Sequence, residues 1–389
     1  MKVNKAAVFI LCFFITTGEG YNLFLYGAVL PLLKAEWSLS PSQAGFIGSS
    51  SLVGMMLGSI LLGVMADKVG RQKTLLLSVA LYSLFTFLGG FAHSALAFTV
   101  YRFLCGIGIG GALPNVTALA ADYAPPRLRN TLVAVVLCGI QFGGLLGPAV
   151  GIFTAQRFGW RAVLFFGGVT VILLPFMWKY IPKQGPADMS GPANQGGEER
   201  ANIFRTGHPR NNIMFWLAYF MTLLMIYGLG TWLPELMMRG GASLNGSLVF
   251  PIILNVGCII GTFILATLAD KWIKPRILLI ILYLAGALSL AALGWGHSIP
   301  ALGAIIFVTG ACTYGTQNIA NAYVSQYYPP AIRSTGLGWC NGVGRLGAVF
   351  GTAFWGFLLE WELSQPVIFL VFAVPALLAG LAFGLVKES

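Results

Sequence analysis

Apolar runs too long for a soluble helix or strand, broken by short polar turns, make up most of this chain. Residues 42–66 and 74–92 are nearly free of charge, and each is long enough to cross a hydrocarbon core of ~30 Å at 1.5 Å per helical residue. Similar runs at 6–33, 95–122 and 299–326, with others between them, predict an all-α integral membrane protein of twelve transmembrane helices. Between the second and third runs stands a short charged stretch, Gly63-Val-Met-Ala-Asp67-Lys68-Val-Gly70-Arg71-Gln-Lys73. Such a stretch must be a tight turn at a membrane surface, and on charge alone it reads as a basic loop obeying the positive-inside bias.

The stretch recurs in the second half as Gly261-Thr-Phe-Ile-Leu-Ala-Thr-Leu-Ala-Asp270-Lys271-Trp-Ile-Lys274-Pro-Arg276. Other landmarks recur at nearly the same offset: Pro31 with Pro234, His93-Ser94 with His297-Ser298, Pro125-Pro126 and Arg129 with Pro329-Pro330 and Arg333, Gly143 and Gly147 with Gly347 and Gly351. A repeat of roughly 200 residues is far too long for a solenoid unit and suits a duplicated bundle of six spans. The expected division is an N-terminal bundle over 1–182, a polar Pro/Gly-rich linker over 183–210, and a C-terminal bundle over 211–389.

The pattern Gly-x3-Asp-Lys-x-Gly-Arg-x-Lys between spans 2 and 3, echoed between spans 8 and 9, resembles the signature loop of the major facilitator superfamily. That resemblance implies the major facilitator fold, two pseudo-symmetric six-helix halves working by alternating access. It also implies that Gly63, Asp67, Gly70 and Arg71, with Asp270 in the second copy, form a conformational latch.

Composition agrees, with 57% hydrophobic residues, 9% charged residues and a mean hydropathy of +0.81, values foreign to soluble domains. The formal charge of +11 would suit nucleic acid only if the basic residues shared one wet face. They sort instead by membrane side. With the N-terminus inside, Lys2, Lys5, Lys68, Arg71, Lys73, Arg127, Arg129, Lys179, Lys183, Arg200, Arg205, Arg210, Lys271, Lys274, Arg276, Arg333 and Lys387 fall inside, against Lys34, Arg157, Arg161 and Arg239 outside. Both termini are therefore expected in the cytoplasm, with the chain in the inner or plasma membrane. The first run continues past Glu19 to about Leu33 without a small-residue cleavage site, which favours a retained span over a signal peptide. All six cysteines lie in spans without metal-ligand spacing, so neither disulfides nor a metal are expected. No phosphate-binding Gly-x4-Gly-Lys-Ser/Thr loop is present. The expectation is a monomeric non-enzyme without cofactor, whose partners are a small organic acid substrate, protons and the lipid bilayer.

Polar residues inside the spans carry the candidate chemistry. Glu19 lies ~21 Å along its helix from Lys5. A carboxylate that deep costs ~2.5–3.5 kcal/mol on insertion scales, so it marks either a proton-handling group or an acid paired for structure. Arg102, in span 4, is the arginine for which Glu19 is the one acidic partner candidate within the membrane. The glycines that follow it, Gly106 to Gly111, have no preceding strand and read as helix packing rather than a dinucleotide fingerprint. Span 5 holds Gln141 and then Gly143-Gly-Leu-Leu-Gly147-Pro148, which resembles a motif linked to antiporters but also fits plain packing. Span 7 carries Tyr227 and Trp232, and span 10 the run Tyr314-Gly-Thr316-Gln317-Asn318-x2-Asn321-x-Tyr323. Arg345 lies ~18 Å beyond Arg333, about mid-bilayer. A guanidinium with no acid in its own half wants an anion, and a substrate carboxylate offers a bidentate partner; the plainer reading is an arginine satisfied by backbone carbonyls. At the offset that takes Pro125 to Pro329, Gln141 falls on Arg345.

Arg102-x3-Gly-x-Gly-x-Gly-Gly-Ala-x-Pro-Asn115, Thr231-Trp-Leu-Pro-x-Leu-Met237 and Tyr328-Pro-x2-Ile-Arg333-Ser-Thr-Gly-x-Gly-Trp339 are similar to the aromatic acid/proton symporters, over nearly the whole chain. There span 1 carries Asp-Gly-x-Asp; here residues 19–22 read Glu-Gly-Tyr-Asn, so Asn22 cannot titrate. The resemblance implies proton coupling through Glu19 and Arg102, and a carboxylate held by Arg345 with Gln141, Tyr26, Asn22, Tyr227, Gln317, Asn318 and Asn321. A drug/proton antiporter and a carrier of a non-aromatic organic anion remain alternatives. A receptor or scaffold would leave the buried charges unexplained.

Overall fold

A computed structural model describes residues 4–182, 209–271, 273–295, 298–329 and 333–387. Among these residues there are helices and turns and no strand. Twelve helices are long and apolar enough to cross a membrane. They are α1 (Lys5–Trp37), α2 (Pro41–Val69), α3 (Arg71–Gly89), α4 (Ala95–Tyr123), α5 (Arg129–Phe158), α6 (Trp160–Tyr180), α7 (Pro209–Arg239), α8 (Leu244–Lys271), α9 (Pro275–Ala292), α10 (Ile299–Tyr327), α11 (Arg333–Glu360) and α12 (Gln365–Gly384). The expected all-α fold of twelve spans is borne out. Of the linker expected over 183–210, residues 183–208 lie outside the described residues.

The helices form two compact units, Met1–Leu39 with Phe46–Gly197, and Ser40–Gly45 with Glu198–Ser389. Within the first, α1 packs along α5, and α3 lies against α4 and α6. The second repeats the plan, with α7 along α11 and α9 against α10 and α12. Large apolar side chains on the outer faces, Phe153, Leu288 and Ile299 among them, are exposed. A lipid-facing surface accepts such residues at no cost, because a lipid tail is as apolar as the side chain.

Lipid supplies little drive for helix association, so close backbone approach has to hold these bundles. The repeated glycines make that approach possible. A Cβ on Gly143 of α5 would overlap the Thr17 carbonyl oxygen of α1, and one on Gly20 of α1 would overlap the Ile140 carbonyl of α5. On the other side of the repeat, Gly347, the counterpart of Gly143, and Gly351 of α11 meet the Phe220 and Leu224 carbonyls of α7. Span 4's glycine strip is likewise a crossing surface, Gly106 and Gly110 resting on the Ser51 and Met55 carbonyls of α2.

Two polar devices tie helix ends within the first unit. Glu36, near the end of α1, accepts bonds from Arg161 at 2.7 and 3.1 Å and from the Trp160 indole at 2.6 Å. Trp37, Phe98 and Trp160 pack edge to face beside this clasp. At the opposite end, Gln72 of α3 donates to the carbonyls of Trp178 and Ile181, at 3.0 and 2.7 Å. In the second unit Arg276 of α9 occupies the matching position and donates to the Gly384 carbonyl at 2.7 Å.

Gly143→Val should force α1 and α5 apart and lower stability by ~1–3 kcal/mol, the usual result of overpacking. Gly342→Ala, whose Cβ would meet nothing within 4 Å, should leave the unfolding temperature unchanged or slightly raised. Thermal unfolding of the two purified variants checks both; equal behaviour would remove the glycine crossing as a determinant of the fold.

Candidate substrate and proton site

Each unit carries its own set of intramembrane polar groups. In the first, Glu19, Asn22 and Tyr26 follow one another along one face of α1, at 1%, 0% and 2% exposure. Their spacing of three and four residues stacks them on successive turns. Asn22 is a hub. Its amide donates to the Gly18 carbonyl at 2.7 Å, its side-chain oxygen accepts from the Thr86 hydroxyl, and its backbone carbonyl accepts from Arg102 at 2.9 Å.

Arg102 enters from α4 and is 3% exposed. Its second terminal nitrogen donates to Ser51 of α2 at 2.9 Å, and its carbon centre lies 5.6 Å from the Tyr26 ring centroid. Every one of these partners is neutral, and the ion pair expected with Glu19 is not among them. Coulomb attraction is not the only way to satisfy a buried guanidinium; five fixed donors can be matched by carbonyls and hydroxyls as well. Here Nε is left without a hydrogen-bond partner. Glu19 itself lies close enough to Tyr82 for its charge to act on that phenol. Gln141 of α5 buries its side-chain oxygen with no hydrogen bond from any described residue.

In the second unit α7 organises the groups. Tyr219 donates its hydroxyl to Asn321 of α10 at 2.8 Å, and one turn or two further along, the Ile226 carbonyl accepts from Tyr314 of α10 at 2.9 Å. On its other flank α7 meets α11, where a Cβ on Gly344 would touch Leu223 and lie 3.3 Å from the Tyr219 carbonyl. Arg345 follows Gly344, on the stretch of α11 that packs against α7 at Tyr219 and Leu223. Its Nη1 is buried and bonds to no described group. Gln317, on the α10 stripe between Tyr314 and Asn321, likewise buries an oxygen without a partner. Asn318 turns the other way and donates to Thr262 of α8 at 3.4 Å. Tyr227 is partly buried on α7.

Of the latch residues, Gly70 sits between α2 and α3 at φ +98°, a conformation that favours glycine. Gly63 faces open space. Arg71 makes an ion pair with Asp122 at the end of α4, linking the loop to the α4–α5 turn. Asp67 and Asp270 lie in α2 and α8, and their side chains are outside the described residues.

Ser51, Thr86 and Tyr219 were not among the residues expected to matter, yet they fix Arg102, Asn22 and Asn321. A serine or threonine in an apolar span bonds as readily to its own helix, as Thr117 does to Leu113 at 2.8 Å, so sequence gives no signal for the cross-helix bond.

The profile of the Major Facilitator Superfamily matches residues 12–319 and 256–389. The chain belongs to the major facilitator superfamily. It is therefore a multi-pass membrane transporter rather than an enzyme. It is 35% identical to a benzoate transport protein of Acinetobacter baylyi, over 98% of this chain and 89% of that one. It is also 35% identical to a gentisate transporter of Corynebacterium glutamicum, over 97% and 86%, and 31% identical to a gallate transporter of Pseudomonas putida, over 96% and 90%. These relatives are aromatic acid transporters, in line with the resemblance read from the sequence. Among solved structures, a D-xylose-proton symporter superposes with a TM-score of 0.81 at 19% identity, covering 98% of both chains; at that identity the likeness concerns fold alone.

For this facilitator the span-5 glycines need no further explanation than the α1–α5 crossing, so they lend no weight to antiport. The Arg71–Asp122 pair can be tested by reversal. Arg71→Asp and Asp122→Arg should each impair transport at normal protein levels, and the double exchange should restore part of it. The pair is part-exposed, so each change should cost less than about 1 kcal/mol of stability. A double exchange no better than the single variants would show that the pair does not couple the two loops.

Proposed function

We propose that this transporter carries out proton-coupled uptake of a small aromatic carboxylate across the inner or plasma membrane by alternating access. Residues 1–182 and 211–389 are its two halves, 183–210 links them, and both termini are cytoplasmic. The observation that carries the reading is the buried Nη1 of Arg345, a cationic donor left without an acceptor by its own unit. Leaving such a group unmatched is expensive, and a carboxylate matches it with charge and planar geometry together. The relatives named for benzoate, gentisate and gallate favour an aromatic acid over an aliphatic one.

In this reading Arg345 takes the carboxylate, with Gln317, Asn321 and Tyr227 of the same half contributing polar and ring contacts, whereas Asn318 is turned to Thr262; Gln141, Tyr26 and Asn22 are the polar groups that the other half brings to transport. Glu19 takes the proton. A protonated Glu19 and a neutralised Arg345 leave less uncompensated charge inside the membrane than either event alone, and that difference couples the two cargoes. Arg102, whose two terminal nitrogens bond to neutral groups, holds the α1 face in register instead of sharing Glu19's charge. Asp67, Gly63, Gly70 and Asp270 belong to the loops that latch one conformation.

Equilibrium binding of benzoate to wild type, Arg345→Lys and Arg345→Ala tests the anion site. Lysine keeps the charge and loses the planar fork, so affinity should fall ~10-fold or more, a charge-assisted hydrogen bond being worth about 1.5–3 kcal/mol. Equal affinities in all three would make Arg345 structural. In proteoliposomes, an acid-outside pH step should drive benzoate inward, whereas an antiporter would drive it out. Glu19→Gln should abolish that accumulation while sparing exchange of labelled for unlabelled benzoate; accumulation by this variant would place coupling elsewhere.

A further inference from the structure

The amides buried in the spans divide into two kinds. Asn22, Asn115 and the part-buried Asn341 each donate to the carbonyl four residues back in their own helix, at 2.7 to 2.9 Å, and Asn255 does the same while leaving its oxygen unmatched. Gln317 makes no such bond, and its inward oxygen is matched by no described group. An amide left this way inside a bundle is costly, and no packing role requires it, since a methionine or leucine would fill the same space.

Its position adds the second observation. On α10, Tyr314 bonds to α7 at Ile226 and Asn321 bonds to α7 at Tyr219, so Gln317, one turn from each, stands level with residues 222–223 of α7. Gly344 of α11 meets α7 at Tyr219 and Leu223, which puts Arg345 at that same level on the other flank. One unit thus presents, at one depth, an unmatched cationic donor and an unmatched amide. A benzoate ion matches the first and has nothing for the second.

We propose that Gln317 is the specificity-determining residue by which this transporter favours ring-hydroxylated aromatic carboxylates over unsubstituted ones. The inference rests on the assignment of Arg345 to the carboxylate. The phenolic hydroxyl bonds to the Gln317 amide while the carboxylate bonds to Arg345. A phenol both donates and accepts, so it satisfies the amide whichever way its oxygen and nitrogen are turned. A site built to bond a substrate hydroxyl also discriminates more sharply than an apolar pocket does, because the analogue lacking the hydroxyl leaves the amide unmatched.

The experiment is competition binding of benzoate, 3-hydroxybenzoate and 4-hydroxybenzoate to the full-length chain and to Gln317→Met, which keeps length and removes hydrogen bonding, with Arg345→Ala alongside. In wild type at least one hydroxybenzoate should bind ~10-fold tighter than benzoate. In Gln317→Met that preference should vanish, hydroxybenzoate affinity falling ~10-fold further than benzoate affinity does, and an unchanged unfolding temperature shows that the variant is folded. Arg345→Ala should weaken all three ligands together. Equal change for all three ligands in Gln317→Met, or a wild type indifferent to the hydroxyl, overturns the role of Gln317 and leaves the carboxylate site standing. Wild type binding none of the three would overturn the aromatic-acid reading and this inference with it.

Discussion

Hydrocarbon offers no hydrogen bonds, so each polar atom in a span finds a partner within the protein, meets a ligand, or goes without at a cost. That constraint sorts the polar residues of this chain. Several threonines and asparagines bond back to a carbonyl one turn away in their own helix, as Thr17, Thr154 and Asn115 do. Arg102 bonds across helices through its two terminal nitrogens, to a carbonyl and a hydroxyl, which makes a buried charge a strut between α1, α2 and α4. Arg345, Gln317 and Gln141 belong to a wider set of described residues with a buried atom that no hydrogen bond matches, Ser78 and Asn255 among them. Arg345 stands apart from the neutral members of that set because its unmatched atom carries charge, the kind most costly to leave alone in hydrocarbon.

Much of the architecture was legible in the sequence because its causes are one-dimensional. Span length, the sorting of lysine and arginine between alternate turns, and the recurrence of the Asp-Lys pair are all visible in a string of letters. The glycines were visible too, but their partners were not: that Gly143 rests on Thr17 and Gly347 on Phe220 depends on which helices neighbour each other. The glycine strip of α4 shows the same limit, being readable as packing while its partner α2 was not.

The site was legible only in part, for a definite reason. Pairing Glu19 with Arg102 followed from counting charges, and counting charges ignores carbonyls and hydroxyls, which are more abundant in a helix bundle than acids are. Asn22 was noticed for the carboxylate it lacks, whereas its structural weight lies in a backbone oxygen that any residue would supply. Gln317 and Asn318 are neighbours in one polar run and looked equivalent. A rotation of one residue on a helix separates them, so that one is bonded to Thr262 and the other is left unmatched.

The matching positions Gln72 and Arg276 carry a consequence of their own. Both close the third helix of a half onto the end of the sixth by donating to a main-chain carbonyl, one as a neutral amide and the other as a cation. The geometry of the bond survived while the charge of the donor did not. Gln141 and Arg345 show the same exchange at a second place in the repeat. Duplication of a bundle thus yields two scaffolds with one set of mechanical joints and two separate electrical characters, and a charged cargo can be met asymmetrically by a frame that is built twice from the same plan.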